Sequence, residues 1–142
     1  MTNGTMMAVT GTPFDFNTPK SIDQDVTNFD NEQIKFGKGF DHNWVLKTKG
    51  DIHQVAAQLT SPNTGITLEV YTDEPGIQVY TGNFLDGTVK GKKGIVYPQR
   101  ASVCLETQHY PDSPNKKHWP SVVLEPGKTY TSHCIFKFGV IK

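Results

Sequence analysis

An excess of charge of either sign is the first thing this chain lacks. Its 14 Lys and Arg residues balance 14 Asp and Glu residues over 142 positions, which removes the electrostatic basis for holding nucleic acid or an anionic membrane. Partners are therefore expected to be neutral or small. No apolar run approaches the ~18 residues of a transmembrane helix, and Met1 to Thr5 has neither the basic nor the apolar region of a signal peptide. A soluble, cytoplasmic protein is predicted. Cysteine is scarce as well. Cys104 and Cys134 each sit in an apolar, strand-like run, where a buried free thiol is the usual state, so a disulfide framework is not expected although a single bridge stays open. His42, His53, His109, His118 and His133 share no metal-ligand spacing, and no metal site is predicted. Asn3-Gly4-Thr5 matches a glycosylation sequon, a pattern too short to carry weight without a secretory signal. No internal repeat is visible, and the length suits one domain.

What is present reads as strands punctuated by 13 glycines and nine prolines. Alternation is clearest over His53 to Thr60, with Val55, Ala57 and Leu59 on one face, and over Ile66 to Tyr71, with Ile66, Leu68 and Val70 together. The two predict a hairpin across Ser61-Pro62-Asn63-Thr64-Gly65. Further strands are expected over Trp44 to Thr48, Gly76 to Thr81, Ala101 to Gln108 and Tyr130 to Phe138, the last with Tyr130, Cys134, Phe136 and Phe138 on one side. The only helix candidate is a turn or two around Ser21 to Val26, capped by Ser21. This pattern predicts an all-β chain built as an antiparallel β-sandwich. The loop Gly87 to Gly94, with Lys90, Lys92 and Lys93, lacks the ending of a P-loop and reads as a solvated hairpin or long loop.

The chemistry concentrates in three segments. In Cys104-Leu105-Glu106-Thr107-Gln108 a carboxylate sits inside an apolar strand just before a Pro-rich turn. Alternation sets Cys104, Glu106 and Gln108 against Leu105 and Thr107. A Glu drawn partly out of water gains proton affinity and suits a general base near neutral pH; a Glu on a solvated strand face is the plain alternative. In Phe40-Asp41-His42-Asn43-Trp44 a polar triplet lies between apolar residues and needs partners or a ligand. In Pro75-Gly76-Ile77-Gln78-Val79-Tyr80, Gln78 and Tyr80 share a face. Asp41 equally fits an Asx turn, and Gln78 a loop tie. Together, Asp41, Gln78 and Glu106 make the ensemble of a sugar site, where carboxylates and amides bind hydroxyls and an aromatic such as Trp44 or Tyr80 packs on the ring.

Thr12-Pro13-Phe14-Asp15-Phe16, Phe40-Asp41-His42-Asn43, Pro75 to Asn83, and Cys104 through Asn115 resemble, in order, the successive motifs of the aldose 1-epimerases, the galactose mutarotases. Pro126-Gly127-Lys128-Thr129-Tyr130 before a last strand is also similar. The resemblance implies a mutarotase-type β-sandwich of which residues 1–142 are a single C-terminal segment, no cofactor, and interconversion of the α and β anomers of free hexoses such as galactose or glucose. By the same resemblance Glu106 matches the general base, while Asp41 and Gln78 match substrate-binding groups. The family's acid His, an auxiliary His and an Arg belong to an N-terminal half that this segment does not match; His42 and His109 stand elsewhere in the motifs. The resemblance thus leaves activity of the chain alone in question and implies self-association or pairing with an N-terminal half. A noncatalytic carbohydrate-binding module and an inactive structural fragment are the alternatives.

Overall fold

A computed structural model of the chain describes Gly4–Ile141; the Asn3 sequon lies outside the described residues. The strands, in chain order, are β1 (Asp41–Val45), β2 (Ala57–Thr60), β3 (Ile66–Thr72), β4 (Gly76–Tyr80), β5 (Cys104–Gln108) and β6 (Cys134–Val140). Among the described residues they form two three-stranded sheets, ordered β1-β4-β5 and β2-β3-β6. Helical structure among the described residues is confined to α1 (Glu32–Gly37) and three short 3-10 turns. The chain divides into two compact units, each made of two chain segments. The first takes the residues up to Asn43 with Gln78–Glu106, and the second takes Trp44–Ile77 with the residues from Thr107 on.

In the first unit Val26, Ile34 and Phe40 are almost fully buried. Phe14 and Phe16 meet the Phe40 ring edge-on, with centroids 5.6 and 5.4 Å away, the geometry that aromatic quadrupoles favour. The expected turn at Ser21 exists as a 3-10 turn, Ile22–Gln24, whose Asp23 N–H is accepted by the Ser21 hydroxyl. Helix α1 is an element the sequence reading passed over. Six residues are too few to display a 3.6-residue period, so its caps and the burial of Ile34 hold it instead. Asn31 Oδ1 accepts the Gln33 and Ile34 N–H groups at 3.0 and 3.3 Å, and Lys38 closes the helix in the left-handed conformation at φ 55°. The loop after Gly87 folds as an exposed hairpin, with Gly87 N–H to Tyr97 carbonyl at 3.0 Å and Tyr97 N–H to Val89 carbonyl at 3.0 Å.

In the second unit the hairpin between β2 and β3 closes where expected. Gly65 donates to the Ser61 carbonyl at 2.8 Å, and Ser61 to the Ile66 carbonyl at 2.9 Å. Antiparallel register sets Ala57 against Val70 and Leu59 against Leu68, while β6 adds Phe136 opposite Val70, Phe138 opposite Leu68 and Val140 opposite Ile66. Directly paired residues point to the same side, so these apolar side chains share one face. Several strands are shorter than expected, and for local reasons. Before β2, Asp51 captures the His53 N–H at 2.9 Å and the Gln54 amide at 2.6 Å, so a turn replaces the first half of the predicted strand. Tyr130 lies outside β6, because the ladder ends at Thr72 opposite Cys134 and the Asp73 carboxylate captures the next N–H, that of His133, at 2.7 Å. Strand β1 begins at Asp41 rather than Trp44, because the polar triplet finds partners within the structure. Cys134 corrects the expectation of two buried thiols. It is exposed, as is every residue of the edge strand β6, whereas Cys104 is half-buried and both are free.

Candidate functional site

The residues that the sequence singles out fall on adjacent strands, Asp41 at the start of β1, Gln78 in the middle of β4 and Glu106 in the middle of β5. The structure joins the first two. Gln78 Nε2 donates to Asp41 Oδ1 at 2.8 Å, so Gln78 braces the neighbouring strand rather than its own loop, and Asp41 accepts from a strand rather than closing a turn. This bond sets the orientation of the amide, since the reverse would put the amide oxygen against a carboxylate oxygen. Gln78 Oε1 is then a buried acceptor with no hydrogen-bond partner among the described residues. Such an atom forfeits about 1–3 kcal/mol unless a donor reaches it.

Glu106 differs from the expectation of a desolvated carboxylate. It is exposed while both strand neighbours are half-buried, and among the described residues its carboxylate enters no hydrogen bond or ion pair. Cys104 and Gln108, which share its face by strand alternation, are half-buried too, so the exposure is particular to Glu106. Of the aromatics considered as sugar platforms, Tyr80 is turned to local use. Its hydroxyl accepts the Phe84 N–H at 3.0 Å and its ring stacks on Phe84 at 6.5 Å. Trp44 is three residues along β1 from Asp41, so strand alternation puts it on the other face.

The two histidines inside the matched motifs are both engaged. His42 Nδ1 accepts the Asp41 N–H at 3.0 Å, and its ring packs edge-on against Phe14 at 4.8 Å. Burial lowers its proton affinity, against the opposing influence of the Asp41 charge and a hydrogen bond with the Gln33 backbone. In the second unit His109 Nδ1 lies 2.6 Å from Glu74 Oε2, within ion-pair distance though off the line of a well-directed hydrogen bond. Glu74 is 4% exposed and also takes the Tyr130 hydroxyl. Burial alone would raise its proton affinity, but hydrogen bonds from Tyr130 and Ser132 and the charge of His109 together hold the carboxyl below its usual range. Sequence reasoning missed Glu74, because a Glu beside Asp73 and Pro75 in a turn looks solvated; only the packed chain buries it. Among the described residues no group of three or more His, Cys, Asp or Glu could hold a metal ion, and no helix is long and apolar enough to cross a membrane.

The aldose 1-epimerase family profile matches residues 1–137. Galactose mutarotase of Homo sapiens is 44% identical over 137 residues, covering 96% of this chain and 38% of the human protein. Aldose 1-epimerase of Escherichia coli (strain K12) is 38% identical over 135 residues, again 38% of its own length. A crystal structure of a GalM/aldose epimerase homologue from C. elegans superposes with a TM-score of 0.79 at 28% identity, covering 99% of this chain and 40% of that one. The chain belongs to the aldose 1-epimerase family. Its fold class is the all-β sandwich read from the sequence, and it spans about 38% of the length of these curated relatives.

Proposed function

We propose that this chain supplies the sugar-holding pair and the general base of an aldose 1-epimerase acting on free hexoses such as galactose or glucose. The observation that carries the proposal is the Asp41 to Gln78 hydrogen bond, which leaves Gln78 Oε1 buried and unpartnered. A pyranose hydroxyl is the donor such an atom lacks, and Asp41 keeps its second oxygen for another. Glu106 on the adjacent strand takes the anomeric hydroxyl proton. A general acid outside this chain's matched motifs protonates the ring oxygen, the bond between it and the anomeric carbon breaks, and the open aldehyde turns and recloses on its other face. His42 and His109, each tied to a neighbour, do not serve as that acid. Exposure of Glu106 favours a second reading for the isolated chain, sugar binding without turnover. No cofactor takes part in either. The reaction is proposed for the cytoplasm, which fractionation of cells making the tagged protein tests, and pairing with an N-terminal half is proposed to complete the enzyme.

Polarimetry of freshly dissolved α-D-galactose and α-D-glucose is the experiment. The chain alone should not exceed buffer, and co-expression with the remaining N-terminal segment of a family relative should restore anomer exchange that Glu106→Gln removes. Exchange that survives Glu106→Gln would overturn the assignment of the base. Hexose binding without exchange in the co-expressed pair would favour the binding module, and neither binding nor exchange the structural fragment.

A further inference from the structure

Asn83 ends the motif that carries Gln78, yet nothing in the proposed chemistry uses it. The residue is 2% exposed and every hydrogen-bonding position on its side chain is filled. Nδ2 donates to the Gly37 carbonyl at 2.8 Å and the Phe40 carbonyl at 2.9 Å. Oδ1 accepts the Thr81 hydroxyl at 2.6 Å and Arg100 Nη1 at 2.7 Å. The reverse orientation of the amide would set its NH2 against a guanidinium, so the arrangement is unambiguous. Arg100 extends the network, its Nη2 donating to the Lys38 carbonyl at 2.9 Å and its backbone N–H to the Gly82 carbonyl at 3.1 Å. Gly39 is held at φ 142°, and a Cβ there would collide with both Asn83 Oδ1 and Arg100 Nη1. The backbone closes the same junction, with Thr81 N–H on the Phe40 carbonyl at 3.1 Å.

All of these groups lie in one unit, and the two ends they join are those that matter. Phe40 immediately precedes Asp41 at the entry of β1, and Thr81 follows the exit of β4, three residues beyond Gln78. We propose that Asn83 is a positioning residue: its amide locks the entry of β1 to the exit of β4 and thereby sets the Asp41 carboxylate against the Gln78 amide, orienting Gln78 Oε1 for a substrate hydroxyl. The hydroxyl belongs to the sugar reading above; the setting of Asp41 against Gln78 does not depend on it. A neutral amide is required at this point. An aspartate of the same shape accepts from Arg100 and Thr81 but turns a carboxylate oxygen toward two backbone carbonyls, where a donor is needed.

The Gln78 side-chain NH2 resonances in the 15N-labelled full chain report the bond directly, and Asp41→Asn, which removes the charged acceptor, identifies them by their shift. In Asn83→Asp the Gln78 resonances should move toward the free-amide position. Hexose affinity, measured by titration calorimetry with D-galactose, should fall about tenfold, the equivalent of about 1.4 kcal/mol. Arg100→Met removes one side of the network and should move the resonances part of the way, which decides the matter should Asn83→Asp not fold. Val70→Ala in the other sheet lowers stability generally and should leave them in place, separating positioning from destabilisation. Unmoved Gln78 resonances in a folded Asn83→Asp protein, or failing that in Arg100→Met, would overturn the proposal. A wild-type chain that binds no hexose would instead sink the sugar reading, with the resonances still deciding the role of Asn83.

Discussion

At the scale of single residues, three carboxylates are handled in three ways. Asp41 is bonded to an amide, Glu74 is buried with a histidine and a tyrosine, and Glu106 stands in solvent. Environment rather than residue type separates their roles. In the assembled enzyme, Glu106→Gln is expected to lower kcat by about 10²- to 10⁴-fold with little change in KM, because the amide keeps the hydrogen bond but takes no proton. Gln78→Ala should act mainly on KM. Steady-state polarimetry separates the two, and a kcat loss confined to Gln78→Ala would reverse the roles. Glu74 predicts a pH dependence. Its folded proton affinity lies below the ordinary value of 4.5, so its stabilisation is complete above that value and is lost as the pH falls through the lower, folded one. Urea unfolding from pH 7 down to pH 3 should show a decline that is flatter in Glu74→Gln; identical slopes in the two proteins would remove Glu74 from the account.

Among the elements, helix α1 shows how little a short helix owes to propensity. Helices of this length are marginal alone, and α1 exists because Asn31 satisfies two N–H groups and Ile34 is fully buried. Asn31→Ala should therefore cost about 1 kcal/mol, read from the midpoint of chemical denaturation. Asn31→Ser or Asn31→Asp, which keep a capping oxygen, should recover most of it. The N-cap residue type is present in the sequence at Asn31, but the residue that closes the helix is Lys38, which gives no such signal. A stretch of six residues carries no periodic signal, so the element went unread. The hairpin of β2 and β3 is the opposite case. Its alternation and its turn residues point to the same hairpin, and that hairpin is what forms. Where strands came out short, before β2 and before β6, a side-chain carboxylate, Asp51 or Asp73, took a backbone N–H from beside the strand.

For the molecule as a whole, the edge strand β6 is the exposed liability. Phe136, Phe138 and Val140 are 48%, 71% and 69% exposed, on a strand whose outer backbone edge is unpaired among the described residues. Such an edge recruits another chain, and full burial of each large apolar side chain is worth about 1.5–3 kcal/mol. The isolated chain is expected to self-associate through β6 at micromolar concentration. Light scattering over a dilution series should show it, and Phe138→Lys should shift the equilibrium toward monomer. A wild-type chain that stays monomeric at every concentration would contradict the expectation, and association untouched by Phe138→Lys would place the contact elsewhere.

The sequence by itself determined the strand-rich class, the β2 to β3 hairpin with its turn, and the three candidate residues. Each of these is written in short-range terms, a two-residue alternation, a turn composition, or a polar group in an apolar run. Tertiary structure alone decided that Gln78 bonds Asp41, that Asn83 fastens the strands around them, and that Glu74 is buried while Glu106 and Cys134 are not. Those outcomes depend on which distant segments meet. Asp41 and Gln78 are 37 residues apart and Asn83 lies 43 from Phe40, separations over which no local pattern specifies a partner. Burial, and with it proton affinity and hydrogen-bond need, is a property of the packed chain.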